Sequence, residues 1–164
     1  MAKNPHYFSQ LAHVEVYSPD IEKSIHFFKE IVGLDETGRE GDSVYFRAWG
    51  DYFHHTLKIT SRETNGLGHI GWRADSPEAL EECVAYLESI GAGLGWVEGD
   101  MGHGKAYRFQ SPEGHIHEIF WDVVWLKETG ERGSIYADRY ASNRRFGVNP
   151  RRIDHVLSLI HISQ

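Results

Sequence analysis

Across 164 residues there is one cysteine, Cys83. A lone cysteine excludes an intrachain disulfide and suits a reducing compartment. It lies inside the apolar-periodic run ALEECVAYLESIG, so it is expected to pack in a core rather than act as a nucleophile. Basic residues are also short: 17 Lys and Arg stand against 24 Asp and Glu, a net charge of −7. Phosphate backbones are bound by Lys and Arg gathered on one face, so no nucleic-acid partner is expected. No apolar run approaches the roughly 20 residues that span a bilayer. Met1 opens into a polar segment without the apolar stretch of a signal peptide. The expectation is a cytoplasmic protein with no membrane partner.

What remains is ordinary globular composition, 40% hydrophobic and 25% charged, with an excess of one residue type: eleven histidines. A chain of this length can bury a core as one domain. Two stretches share one grammar. HVEVYSPDIEKSIHFFKEIVGL, from His13, reads as an alternating strand, a Ser-Pro-Asp helix start and an amphipathic helix closed by Gly33. HIGWRADSPEALEECVAYLESIGA, from His69, repeats it with Ser-Pro-Glu and Gly91. After each helix come three strand-like runs: LDETGRE, SVYFRAWG and HHTLKITS, then GLGWVEG, KAYRFQS and HIHEIFWD.

Each half is thus β-α-β-β-β. The predicted class is α+β, with paired βαβββ modules at about 8–62 and 66–125 forming a curved, barrel-like mixed sheet with helices outside. Residues 126–164 read as an extension. Its polar, glycine-bearing start gives way to a strand-like run in RRIDHVLSLIHISQ. Its apolar residues, Ile135, Tyr136, Phe146 and the run from Val156, are expected to pack on the domain or on a second copy, making a homodimer or higher homo-oligomer.

His13 and His69 hold the same place in the two repeats, so a pseudo-two-fold pairing of the halves brings them into one cleft. Glu118, on the last strand, adds a carboxylate. Two histidines and one carboxylate on strands make the facial triad of non-haem Fe(II) sites, with three positions open for a diol and O2. His54 and His55 open the fourth predicted strand, where alternation turns only one of them inward. An inward imidazole that is not a ligand could accept a diol proton and return it. His103 and Tyr107 are assigned to the seventh strand as hydrogen-bond donors to oxygen or substrate, although the MGHGK run around His103 also reads as a solvated loop. His117, beside Glu118, should face the opposite side of the sheet. Trp49, Tyr52 and Phe53 are candidates to line a substrate pocket.

The segments HVEVYSPD, SVYFRAWGDYFHHTLKI, GLGHIGWRA and SPEGHIHEIFWD resemble the N-terminal module of type I extradiol dioxygenases, the catechol 2,3-dioxygenase and homoprotocatechuate 2,3-dioxygenase group. These belong to the vicinal oxygen chelate (glyoxalase/bleomycin resistance protein/dioxygenase) superfamily. The resemblance covers about residues 8–156. It implies a vicinal oxygen chelate fold, Fe(II) or sometimes Mn(II), and O2-dependent opening of a catechol ring, as in aromatic hydrocarbon catabolism. It also implies that His13, His69 and Glu118 match the family's metal ligands and that His54 matches its acid-base histidine. Tyr107 lies one position from where the family carries a site tyrosine, and His103 substitutes for a histidine expected near Gly99.

Most of the family has two modules, with the metal in the second. RRIDHV resembles the opening of that second module, with His155 matching its first ligand, which suggests a truncated reading frame. Two alternatives follow: a non-catalytic N-terminal module, which need not keep all three ligand types, or a glyoxalase-like metalloenzyme, which usually uses four protein ligands.

Overall fold

The computed structural model describes residues 5–125 and 147–157. Along the described chain run β1 (Phe8–Ser18), α1 (Ile21–His26), β2 (Asp35–Glu40), β3 (Ser43–Arg47), β4 (Leu57–Ser61), β5 (Gly66–Ala74), α2 (Pro77–Ser89), β6 (Gly93–Val97), β7 (Ala106–Gln110) and β8 (Ile116–Phe120). The predicted βαβββ repeat is therefore present, and the extension from residue 126 lies outside the described residues except for 147–157.

Each helix starts where its sequence supplies a cap. The Asp20 carboxylate accepts from the Lys23 N–H at 3.1 Å, and the Ser76 hydroxyl accepts from the Ala79 N–H at 3.0 Å, with Pro77 in the first turn. Gly33 and Gly91 follow the helical segments in the left-handed region, at φ 83° and 70°. The first helix departs from expectation. After His26 it widens into a π-helical segment, Phe27–Val32, and the Gly33 N–H reaches back to the Phe28 carbonyl.

The strands form one mixed sheet in the order β2-β3-β4-β1-β5-β8-β7-β6. Within each half the opening strand lies parallel to the closing one, β1 to β4 and β5 to β8, and the halves join through antiparallel β1 and β5. The sheet is curved, with β2 and β6 as its outermost strands. The helices cover its outer face. Ile25, Leu34, Val44, Phe46 and Ile59 pack on the α1 side, and Leu80, Cys83, Val84, Leu87 and Ile119 on the α2 side. Fully burying a side chain such as Ile59 contributes roughly 1.5–3 kcal/mol. Burial also pushes the Cys83 thiol up to about 11, as expected for a packed, inert cysteine.

The inner face is unusually polar. Alternation sends Val14 and Val16 one way and His13 and Glu15 the other, and Lys58 and Thr60 follow the same rule on β4. All four of these polar residues are buried. Residues 147–157 dock on the first half: Val148 and Asn149 donate backbone N–H groups to the carbonyls of Ile31 and Val32, and the Gly50 N–H donates to the Arg151 carbonyl. No helix among the described residues is long and apolar enough to cross a membrane.

Candidate metal centre

Strand pairing sets the centre. His13 on β1 and Glu118 on β8 are both register partners of Gly71 on β5, one from each side. His69 lies two residues before Gly71, on the same face of the strand. Gly71 is required here, because a Cβ at that position would collide with the His13 imidazole. The three side chains thus meet from three adjacent strands. The Nε2 atoms of His13 and His69 are 2.9 Å apart. Glu118 Oε1 lies 3.4 Å from His13 Nε2 and 3.2 Å from His69 Nε2. All three residues are about 1% exposed.

The surroundings hold the charges apart. Burial drives the His13 imidazole down to about 4, with Glu118 only partly opposing it. Burial also opposes charge on His69, but the neighbouring Glu118 and Glu15 carboxylates outweigh it and hold that imidazole at about 9. Burial works against ionising Glu118, yet His13 and His69 keep its carboxyl far below the usual range. The second oxygen of Glu118 accepts from Arg108 Nε at 3.3 Å, its cross-strand partner on β7.

Two carboxylates beyond the predicted set complete the centre. Glu15 Oε2 lies 2.8 Å from His69 Nδ1. Asp100, in the loop after β6, brings a carboxylate oxygen within 4.8 Å of ligand atoms of His13, His69 and Glu118. Lys58 Nζ is 2.8 Å from both Asp100 oxygens and 3.4 Å from Glu15 Oε1. Glu15 had a signal in the sequence, since it sits two residues from His13 on one strand and so shares its face. Asp100 had none, because a loop residue has no parity.

The histidines nearby correct the sequence reading. His54 and His55 lie in the turn before β4, not on it. Both border the inner cavity, and His55 is the deeper one: it is buried, with its ring centroid 4.5 Å from that of His13. His54 is partly exposed and its ring lies 6.1 Å from Tyr45. His103 is not on β7 but in the loop before it, and it is not solvated. Its ring stacks on Phe120 at 4.1 Å and its Nε2 is 3.4 Å from Glu118 Oε1.

Tyr107 is on β7 but turned to the outer face. It packs in the α2 core, with its hydroxyl donating to Glu88 at 3.3 Å, so the structure does not bring it to the cleft. His117 faces that outer side too, accepting from Trp72 Nε1 at 3.0 Å. Of the three aromatics expected to line a pocket, Phe53 borders the inner cavity with His13, His55, His103 and Phe120. Trp49 instead donates to the Asn149 carbonyl.

The buried atoms fit a cation. His103 donates its Nδ1–H to the Gly104 carbonyl at 2.9 Å. Burial lowers its pKa, so Nε2 carries a lone pair. That nitrogen, His55 Nε2 and Glu118 Oε1 are all buried without a hydrogen bond. Of these, Glu118 Oε1 faces both His13 and His69, and a buried anionic oxygen without a hydrogen bond is costly alone and favourable beside a metal ion. Two imidazoles and one or two carboxylates suit a first-row divalent ion.

The Glyoxalase/Bleomycin resistance protein/Dioxygenase superfamily profile matches residues 10–119. The chain is 50% identical over 148 residues to a metapyrocatechase of Geobacillus stearothermophilus, covering 90% of this chain and 45% of that protein. It is 39% identical over 151 residues to the manganese-dependent 2,3-dihydroxybiphenyl 1,2-dioxygenase of Geobacillus genomosp. 3, covering 90% and 47%. It therefore spans about half the length of these relatives. The solved 2,3-dioxygenase LapB from Pseudomonas sp. KL28 superposes with a TM-score of 0.81 at 26% identity, covering 92% of this chain and 53% of that one.

Proposed function

Because the chain belongs to the Glyoxalase/Bleomycin resistance protein/Dioxygenase superfamily, we propose that it is a metal-dependent extradiol dioxygenase opening catechol-type diols with O2. The observation that carries this reading is the convergence of His13, His69 and Glu118 from three neighbouring strands. These three would hold Fe(II), or Mn(II) as in the manganese-dependent relative's name. When bound, such an ion lets electrons pass between a diol ring and O2. The rest falls to the protein. His55 is the buried imidazole beside His13 whose Nε2 has no hydrogen bond, while its Nδ1 meets His54 Nδ1 at 3.4 Å, and it takes the diol proton and returns it to the product. His103 Nε2 borders the same cavity and accepts a hydrogen bond from the second hydroxyl. Phe53 and Phe120 exclude water and present apolar surface to the ring.

One observation favours a second reading: with Asp100 the centre has four donors, which suits a glyoxalase-type isomerase. Lys58 occupies both Asp100 oxygens, and that supports the three-ligand alternative. A cytoplasmic location and a homo-oligomer belong to the same reading.

The test is metal analysis of protein purified and loaded with Fe(II) without oxygen, followed by catechol and O2. About one ion per chain, with O2 uptake and a yellow ring-opened product, is expected. A full metal complement with no O2 uptake would overturn the dioxygenase, and an empty site would identify a non-catalytic module. Light scattering on the same sample should give a mass above that of one chain.

A further inference from the structure

Glu15 is an expensive residue to place where it is. Its carboxylate is on the inner face of β1, about 6% exposed, and fills no apolar core. Room is made for it: a Cβ on Gly68 would collide with the Glu15 carboxylate. Its oxygens divide their partners. Oε1 accepts from Thr60 Oγ1 at 2.5 Å and faces Lys58 at 3.4 Å, and Thr60 is braced in turn by Ser43 at 2.8 Å. Oε2 faces His69 Nδ1 at 2.8 Å. Thr60 and Lys58 lie on β4, which pairs with β1 in register, Glu15 opposite Lys58. Glu15 is thus clamped before it reaches the histidine.

An ionised carboxylate has only acceptors, so the proton of this contact belongs to His69 Nδ1. That leaves the other ring nitrogen, Nε2, to act as the ligand atom, and Nε2 is the atom facing His13 and Glu118. We propose that Glu15 is a positioning residue for the metal ligand His69, fixing the tautomer and ring orientation that present Nε2 to the ion. The inference rests on the metal-binding reading above and extends it by one residue. A hydrogen-bonded carboxylate behind an imidazole ligand raises its basicity, and loss of such a partner typically weakens metal binding by about 10- to 100-fold.

The test uses Co(II) as a spectroscopic substitute in the full chain, with Glu15→Ala and Glu15→Gln. Affinity is read by competition with a chelator. The ligand imidazole N–H protons are read as paramagnetically shifted, solvent-exchangeable NMR signals. Glu15→Ala should bind Co(II) about 10- to 100-fold more weakly and lose one slowly exchanging N–H signal. Glu15→Gln keeps an acceptor carbonyl, so it should recover most of the affinity and the signal, although with faster exchange. A merely structural role would lower the melting temperature of both variants without removing the signal. Parent affinity and an intact, protected signal in Glu15→Ala would overturn the proposal. If Glu15→Ala does not fold, unchanged N–H exchange in Glu15→Gln would do so. Failure of the parent protein to bind Co(II) would instead sink the metal reading itself.

Discussion

At the scale of single residues, the most consequential choice is between His54 and His55. Alternation along a strand turns one of two adjacent residues inward but does not say which until the strand's limits are known. Here the pair is not on a strand. Asp51 ties the preceding turn, accepting from the Phe53 N–H at 3.2 Å and from the Thr56 hydroxyl at 2.7 Å. The irregular backbone puts His55 beside His13 and His54 at the rim. His55→Phe should therefore keep its metal and slow ring opening by a factor of about 10² to 10⁴, the usual contribution of an acid-base group. His54→Phe should stay within about tenfold of the parent, and Glu118→Ala should lose most of its metal. Metal content and catechol turnover on the three variants separate binding from chemistry. A parent-like rate in His55→Phe with a full metal complement would return the proton role to His103 or His54.

At the scale of elements, local chemistry already specified most of the boundaries. Ser76 before Pro77 and Gly91 after the last turn mark α2 as plainly in the sequence as in the fold. The Ser76 hydroxyl satisfies one of the free N–H groups at the helix start. Removing it as Ser76→Ala should cost about 1 kcal/mol. Chemical denaturation should show that as a shifted midpoint with an unchanged slope, and metal affinity should hold, since α2 lies on the face opposite the centre. A drop in metal affinity would contradict that separation of faces. The π-helical segment Phe27–Val32 was not legible, because the sequence there carries the apolar spacing of an ordinary helix.

For the whole molecule, the curved sheet brings its two halves together across the cleft. Asp100, from the loop after β6, reaches Lys58 on β4 and lies 3.4 Å from the Tyr45 hydroxyl on β3. Beneath this crossing the inner cavity measures about 10 Å³, the space of a single water. The diol proposed above is far larger, so its entry would require the lining to open, and Gly102 and His103 of this loop are part of that lining. Lys58→Met should release Asp100, speeding amide hydrogen exchange over residues 98–104 while leaving α2 protected. Unchanged exchange in the loop would show that the Lys58 pair does not hold it.

The sequence by itself determined the repeat, the fold class and the three converging residues, because each rests on local or periodic information. Strand parity carries His13, helix punctuation marks the modules, and duplication makes His69 the counterpart of His13. Tertiary structure alone decided what parity cannot reach. It placed His103 inside from a glycine-rich loop, turned Tyr107 into the α2 core, and brought Asp100 across the cleft to Lys58. Those outcomes depend on how far the sheet curls and which loops its curvature draws inward. They are contacts between residues distant in the chain, and no local preference encodes them.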